Sequence, residues 1–197
     1  MFLVIDNYDS FVYNLARYVE LAGGECEVVR NDSIRIEDVK SLQPDGIILS
    51  PGPCTPAEAG ICVELVKELG AYTPILGVCL GHQCIGEAYG GRTIRGETPV
   101  HGKACTITHN GSDIFDGIPS PMQAGRYHSL IIELPDNSPL MVTANTDEII
   151  MAMQHKTHPV YGLQFHPESV LTPHGQAITQ NFTTIAQHWQ GQNRRAA

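Results

Sequence analysis

The sequence has no apolar stretch long enough to cross a lipid bilayer. Its opening run, Phe2 to Ile5, is interrupted by Asp6, whereas a spanning helix needs roughly 18 or more consecutive apolar residues. The start of the chain also lacks the pattern of a secretory signal peptide. We therefore expect no membrane association and a cytoplasmic location.

Basic residues are also scarce. The 197 residues include 12 lysines and arginines against 21 aspartates and glutamates, a formal net charge of −9 at pH 7. An acidic surface repels nucleic-acid phosphates and anionic lipid headgroups, so neither is an expected partner. The charged fraction of 17% and the hydrophobic fraction of 42% exclude a disordered chain and a coiled coil.

Cysteine occurs in no pattern typical of a disulfide scaffold. The chain has six cysteines, and no two are spaced as Cys-x-x-Cys. Six are too few to staple a secreted domain of this length, so reduced thiols are expected. His155 and His158 have an i, i+3 spacing, but no cysteine or carboxylate cluster accompanies them. We therefore expect no metal site.

Short apolar runs alternate with helical patterns through the first half of the chain. This alternation predicts βαβ units and a parallel sheet with helices on both faces. The predicted strands are 2–5, 25–30, 46–50 and 74–78, and the predicted helices are 10–22, 36–42, 57–69 and 81–89.

The second half of the chain is richer in strand-like segments, which predict an antiparallel extension of the sheet. There is no linker, repeat or low-complexity segment. Residues 1–197 are therefore expected to form one α/β domain with an open, mixed and mostly parallel sheet. The later strands are predicted at 100–108, 130–134, 140–144, 149–154 and 160–164, and a final helix at 175–189.

The segment Gly77-Val78-Cys79-Leu80-Gly81 has the G-x-nucleophile-x-G pattern of a nucleophile elbow, with cysteine as the nucleophile. It lies where a predicted strand meets a predicted helix. The helix N-terminus favours the thiolate of Cys79, and the N–H of Leu80 would face the oxyanion formed when Cys79 attacks a carbonyl. A buried, unreactive thiol is the alternative, but the elbow favours a nucleophile.

A cysteine nucleophile needs a base, and the base needs a group that orients it. His166 and Glu168 flank Pro167 just beyond the last predicted strand. Residues i and i+2 of an extended segment project to the same side, and a proline favours extended geometry in the residue before it. We therefore expect Glu168 to orient His166.

The segment 50–56, Ser-Pro-Gly-Pro-Cys-Thr-Pro, follows the third predicted strand. Its three prolines stiffen the loop, and Gly52 lets the backbone approach a ligand closely. From local chemistry alone, a rigid turn between a strand and a helix remains an equally good interpretation.

The Cys79 elbow, His166-Pro167-Glu168 and the 51–53 loop together resemble the class I, triad-type glutamine amidotransferases. The resemblance extends from Asp6-Asn7-Tyr8-Asp9-Ser10-Phe11 to the end of the 165–169 segment. Within the family it is greatest to the small subunits that serve two chorismate-using synthases, anthranilate synthase and aminodeoxychorismate synthase. The resemblance implies a flavodoxin-like fold.

The resemblance also assigns roles to residues. It implies that Cys79 is the nucleophile, that His166 is the base and acid, and that Glu168 orients His166. The backbone N–H groups of Gly52 and Leu80 would form the oxyanion hole. The remaining residues of the predicted substrate site are Pro53, Cys54, Gln83, Ser129 and Leu130. The last three match family positions that hold the amino-acid end of glutamine.

The commoner family loop reads Pro-Gly-Pro-Gly, whereas this chain has Cys54 in the fourth position. A side chain there restricts the backbone. His101-Gly102-Lys103 resembles a family segment that faces the synthase's large chain, although an exposed loop is an equally good interpretation.

The resemblance implies that the chain hydrolyses L-glutamine through a γ-glutamyl thioester at Cys79 and passes ammonia to a chorismate-binding large subunit. No cofactor would be needed in this subunit. The product would serve tryptophan or folate biosynthesis, and the sequence does not distinguish the two.

Two other functions are weighed against this one. A stand-alone cysteine hydrolase, similar to γ-glutamyl hydrolase, would use the same triad without a partner, but the matches at 127–130 and 6–11 argue against it. A non-catalytic flavodoxin-like binding protein would not need Cys79, His166 and Glu168 together.

Overall fold

The computed structural model describes residues 1–147 and 149–193. The strands are β1 Phe2–Asp6, β2 Cys26–Arg30, β3 Gly46–Leu49, β4 Ile75–Val78, β5 Arg92–Arg95, β6 Lys103–His109, β7 Met122–Arg126, β8 Leu130–Glu133, β9 Leu140–Thr146, β10 Ile149–His155 and β11 Val160–Leu163. The α-helices are α1 Val12–Leu21, α2 Ile36–Leu42, α3 Cys62–Leu69, α4 Leu80–Ala88 and α5 Gly175–Asn193.

Nine strands form one sheet, in the order β2-β1-β3-β4-β11-β10-β9-β6-β7. The five strands from β2 to β11 pair in parallel, and the four strands from β10 to β7 continue the sheet in antiparallel fashion. Strands β5 and β8 form a separate antiparallel pair. The predicted mixed sheet with an antiparallel extension is confirmed.

The parallel half of the sheet is covered by helices on both faces, as predicted. In β1, Phe2 and Val4 pack on the side of α1 and α5, whereas Leu3 and Ile5 pack on the side of α2, α3 and α4. All five residues of β1 are buried. Burial on both faces explains why its sequence is a continuous apolar run rather than an alternating pattern.

The predicted helix over 57–69 is interrupted in the structure. A 3₁₀ turn at Pro56–Glu58 is followed by a break, and α3 begins only at Cys62. The break contains Gly60 with φ +56°, where a Cβ atom would lie 2.4 Å from the carbonyl oxygen of Asn31. This backbone conformation excludes a continuous helix.

Two strands were not predicted. Strand β5 reads Arg-Thr-Ile-Arg and lies outside the main sheet, so it has no apolar face to reveal it. Strand β7 contains Gly125 and directly follows Pro121, both of which are unfavourable signals for a strand. No helix in the described ranges is long and apolar enough to pass through a membrane.

Candidate active site

Cys79 lies in a sharp turn between β4 and α4. Its φ is +51°, a strained value for a residue with a side chain. The flanking glycines make this turn possible: a Cβ atom on Gly77 would lie 2.4 Å from the backbone of Gly81, and one on Gly81 would lie 2.3 Å from the carbonyl oxygen of Leu49. The backbone N–H of Cys79 donates to the carbonyl of Leu163 on β11.

His166 and Glu168 are in contact, as their spacing predicts. Nδ1 of His166 is 2.6 Å from Oε1 of Glu168, and both side chains are buried. The His166 backbone is anchored on both sides, since its N–H donates to Gly125 and its carbonyl accepts a hydrogen bond from Oγ1 of Thr172. The imidazole therefore has a fixed position.

The electrostatic environment of His166 favours the imidazolium form. Burial alone lowers the pKa of His166, but its interactions with the sulfur of Cys79 and the carboxylate of Glu168, together with the charges of both, raise the pKa to about 10. Among residues 1–147 and 149–193, nothing supplies a hydrogen bond of ordinary geometry to Nε2 of His166. Nε2 is therefore available to exchange a proton with Cys79 or a substrate.

A cavity of about 610 Å³ joins these groups. Its lining contains Cys79, His166 and Glu168, and also Gly52 and Pro53 from the loop after β3. The structure thus brings five of the predicted site residues to one cavity, at the carboxyl ends of parallel strands where open α/β sheets bind ligands.

The loop at Gly52 is held tightly against neighbouring backbone. A Cβ atom on Gly52 would lie 2.4 Å from the carbonyl oxygen of Asn7 and 3.1 Å from the side chain of Leu80. Asn7 in turn donates from its side chain to the carbonyl of Ser50. The backbone groups of Gly52 and Leu80 are neighbours because this position has no side chain.

Three of the predicted glutamine-binding residues lie outside the cavity lining. Nε2 of Gln83 is 3.2 Å from the carbonyl oxygen of Leu130, and the carbonyl of Ser129 accepts from the N–H of Gly96. The contact between Gln83 and Leu130 links α4 to β8. Binding of an amino acid by Gln83 would replace that contact.

Cys54 also lies outside the cavity that contains Cys79. It is exposed and lines a neighbouring cavity of about 240 Å³, together with Pro53 and Leu80. Its φ of +70° is in the left-handed region, where a Cβ atom costs about 1–2 kcal/mol.

Replacing Cys54 by glycine is therefore expected to stabilise the protein. The relief of backbone strain exceeds the entropic cost of glycine in the unfolded chain, and we expect a gain of up to about 1 kcal/mol. Urea unfolding of Cys54→Gly and wild type measures the difference. A decrease in the free energy of unfolding would show that the Cys54 side chain contributes more than its strain costs.

Sequence reasoning missed several groups around the nucleophile and the base. Tyr127 packs edge-on against the His166 ring, with 4.9 Å between ring centroids. Gln164 lies with its Nε2 atom 3.6 Å from the sulfur of Cys79. The i, i+2 rule that paired His166 with Glu168 also places Gln164 on the same side as His166, and this signal would have found it.

Two buried histidines near the site are neutral in the folded protein. Burial lowers the pKa of His82 to about 3, and burial and then Arg126 lower the pKa of His128 to about 4. Below pH 6.5, protons bind these histidines in the unfolded chain before they bind the folded protein. Stability is therefore complete above pH 6.5 and falls as the pH is lowered towards the native pKa values.

Each of these histidines is expected to lower the free energy of unfolding by about 1.4 kcal/mol per pH unit in that window. His82→Gln should reduce the slope between about pH 5 and 6.5, where carboxylates contribute little. The exposed His188 provides the control His188→Gln. Chemical unfolding at several pH values measures the slope, and an unchanged slope in His82→Gln would contradict this account.

No group of three or more histidine, cysteine, aspartate or glutamate side chains in the described part of the chain has an arrangement suited to holding a metal ion.

Comparison with known proteins places these features in a family. Residues 3–186 match the model of glutamine amidotransferase class-I. The chain is 49% identical over 187 residues to anthranilate synthase component 2 of Azospirillum brasilense, covering 92% of this chain and 94% of the relative. It is 49% identical over 185 residues to aminodeoxychorismate/anthranilate synthase component 2 of Bacillus subtilis, covering 92% and 95%.

A third relative is longer. The chain is 50% identical over 189 residues to bifunctional protein TrpGD of Thermotoga maritima, covering 93% of this chain but only 32% of the relative. Among solved structures, that of a putative GMP synthase protein from Thermoplasma acidophilum superimposes with a TM-score of 0.87 at 27% identity. That match covers 98% of this chain and 96% of the other.

Proposed function

Because the chain belongs to the class I glutamine amidotransferase family, we propose that it is the glutaminase subunit of a chorismate-using synthase. It hydrolyses L-glutamine and supplies ammonia to a large subunit that binds chorismate. One observation carries this proposal: a cysteine in a strained elbow shares a cavity with a buried histidine–glutamate pair. We further propose that residues 1–197 form one amidotransferase domain.

In the first half of the proposed reaction, the thiolate of Cys79 attacks the side-chain amide carbon of glutamine. The imidazolium of His166 donates its proton to the leaving nitrogen, so ammonia departs and a γ-glutamyl thioester remains. The raised pKa of His166 supports this assignment, because the histidine begins the reaction with a proton to give.

In the second half, the histidine acts as a base. Acylation removes the negative charge of the Cys79 sulfur, so one of the two interactions that raise the pKa of His166 is lost and the pKa falls. Neutral His166 then takes a proton from water, the hydroxide attacks the thioester, and glutamate leaves as the thiolate reforms. Glu168 keeps Nδ1 of His166 oriented throughout.

The remaining roles follow the family pattern. The backbone N–H groups of Gly52 and Leu80 are proposed to stabilise the oxyanion, a role that the close approach of these residues supports. Gln83, Ser129 and Leu130 are proposed to hold the amino-acid end of glutamine, with Gln83 exchanging its bond to Leu130 for one to the substrate. Pro53 and Cys54 would shape the loop beside the oxyanion site.

The other proposed properties follow from this chemistry. Each proton and acyl transfer uses a side chain of this chain, so no cofactor is proposed. Ammonia must reach an acceptor before water protonates it, which favours direct delivery to a bound large subunit. Because the B. subtilis relative is named for both aminodeoxychorismate and anthranilate synthase, either product, for folate or tryptophan biosynthesis, is compatible. The need for a reduced Cys79 supports a cytoplasmic location.

The test of this proposal is glutamate release from glutamine by the purified chain, measured first alone and then in the presence of a chorismate-binding large subunit. Release that increases with the partner is the expected result, and the aromatic product then identifies the pathway. Equally rapid release without a partner would favour the stand-alone hydrolase, and no release in either case would contradict the proposal.

A further inference from the structure

Gln164 is a buried amide that the proposed mechanism does not use. It directly follows β11 and precedes His166 by two residues, and its side chain has no exposed surface. Its backbone N–H donates to Met151, which fixes the start of the side chain. Nε2 of Gln164 is 3.6 Å from the sulfur of Cys79 and is placed to donate a hydrogen bond to it.

The orientation of this amide is fixed by a chain of hydrogen bonds. The backbone carbonyl of Leu130 can only accept, so Gln83 must present its amide nitrogen to it, at 3.2 Å. The same nitrogen lies 3.2 Å from Oε1 of Gln164. Gln164 therefore presents its oxygen to Gln83 and its N–H₂ group to Cys79.

We propose that Gln164 is a positioning residue for the nucleophile, holding the sulfur of Cys79 in its reactive orientation and favouring its negative charge. An N–H donor stabilises an anionic acceptor more strongly than a neutral one, and burial strengthens the interaction by excluding water. This inference rests on the proposed role of Cys79 as a nucleophile, and it adds the group that prepares the sulfur before glutamine arrives.

The first test measures the reactivity of Cys79 without glutamine. Gln164→Met keeps a linear side chain of similar length but removes the donor. Iodoacetamide labelling, followed by peptide mapping of Cys79, is expected to be about tenfold slower at pH 7 in this variant, as loss of a hydrogen bond to an ionised group predicts. The pH profile of labelling is expected to move to higher pH.

Gln164→Asn provides a second variant if Gln164→Met does not fold, because its amide is one methylene too short to make the same contact. Gln123→Met is the matched control, since Gln123 is exposed on β7 and its amide donates to Thr106. Labelling of Cys79 in this control should match wild type in both rate and pH profile.

Glutaminase kinetics provide the second readout. Gln164→Met is expected to lower kcat by about tenfold with little change in KM, because the affected group is the nucleophile. Wild-type labelling rates and pH profiles in both Gln164 variants would overturn the inference, as would a raised KM with unchanged kcat. Normal labelling of wild type without any glutamate release would instead contradict the proposed function alone.

Discussion

Replacement of Cys79 by alanine is expected to abolish glutamine-dependent synthesis by the complex and to leave ammonia-dependent synthesis intact. Without the sulfur no thioester forms, and loss of a catalytic nucleophile commonly reduces turnover by about ten-thousand-fold or more. Ammonia added to the solution bypasses this chain and reaches the large subunit directly. Both activities are measured as aromatic product formed from chorismate, with glutamine or with an ammonium salt.

The matched control is Cys54→Ala, which removes the exposed thiol of the neighbouring loop. Because Cys54 does not line the cavity of Cys79, this variant should retain glutamine-dependent synthesis. Cys79→Ser tests whether a hydroxyl substitutes for the thiol, and we expect it to be as inactive as Cys79→Ala. Equal loss of the glutamine and ammonia activities in Cys79→Ala would contradict the division of labour between subunits.

Replacement of Gly81 by alanine is expected to damage both the fold and the site. The added Cβ atom would lie 2.3 Å from the carbonyl oxygen of Leu49, and neither backbone segment has room to move within the buried sheet. We expect a loss of about 3 kcal/mol in the free energy of unfolding, at the upper end of the range for overpacking. Glutaminase activity should be lost as well, because the Cys79 turn cannot keep its geometry.

Gly191→Ala is the corresponding control. Gly191 lies in α5, and a Cβ atom there meets nothing within 4 Å, so alanine should stabilise the helix by up to about 1 kcal/mol. Urea unfolding and glutamate release measured on both variants separate the local collision from a general intolerance of alanine. A Gly81→Ala protein with wild-type stability and activity would show that the elbow does not depend on this glycine.

Local patterns predicted those features of the site that depend on neighbours in the chain. The elbow around Cys79 was predictable because its two glycines lie within two residues of the cysteine. The contact between His166 and Glu168 was predictable because an extended segment places alternate residues on one side. The parallel half of the sheet was predictable from continuous apolar runs such as that of β1.

Features that depend on distant segments were not predictable in this way. The contact of Gln83 with Leu130 joins residues 47 positions apart, and that of Gln164 with Cys79 joins residues 85 positions apart. The break before α3 depends on the approach of Gly60 to Asn31. Cys54 follows Pro53 directly in the sequence, but its left-handed backbone turns it towards a different cavity.

The most direct test of the account is a search for the thioester itself. The purified complex would be mixed with glutamine, quenched rapidly in acid and digested, and the cysteine peptides would be analysed by mass spectrometry. We predict a γ-glutamyl group on Cys79 that forms in wild type and is absent from Cys79→Ala. Glutamate release without any adduct on Cys79, or with an adduct on Cys54 instead, would contradict the assignment of Cys79 as the nucleophile.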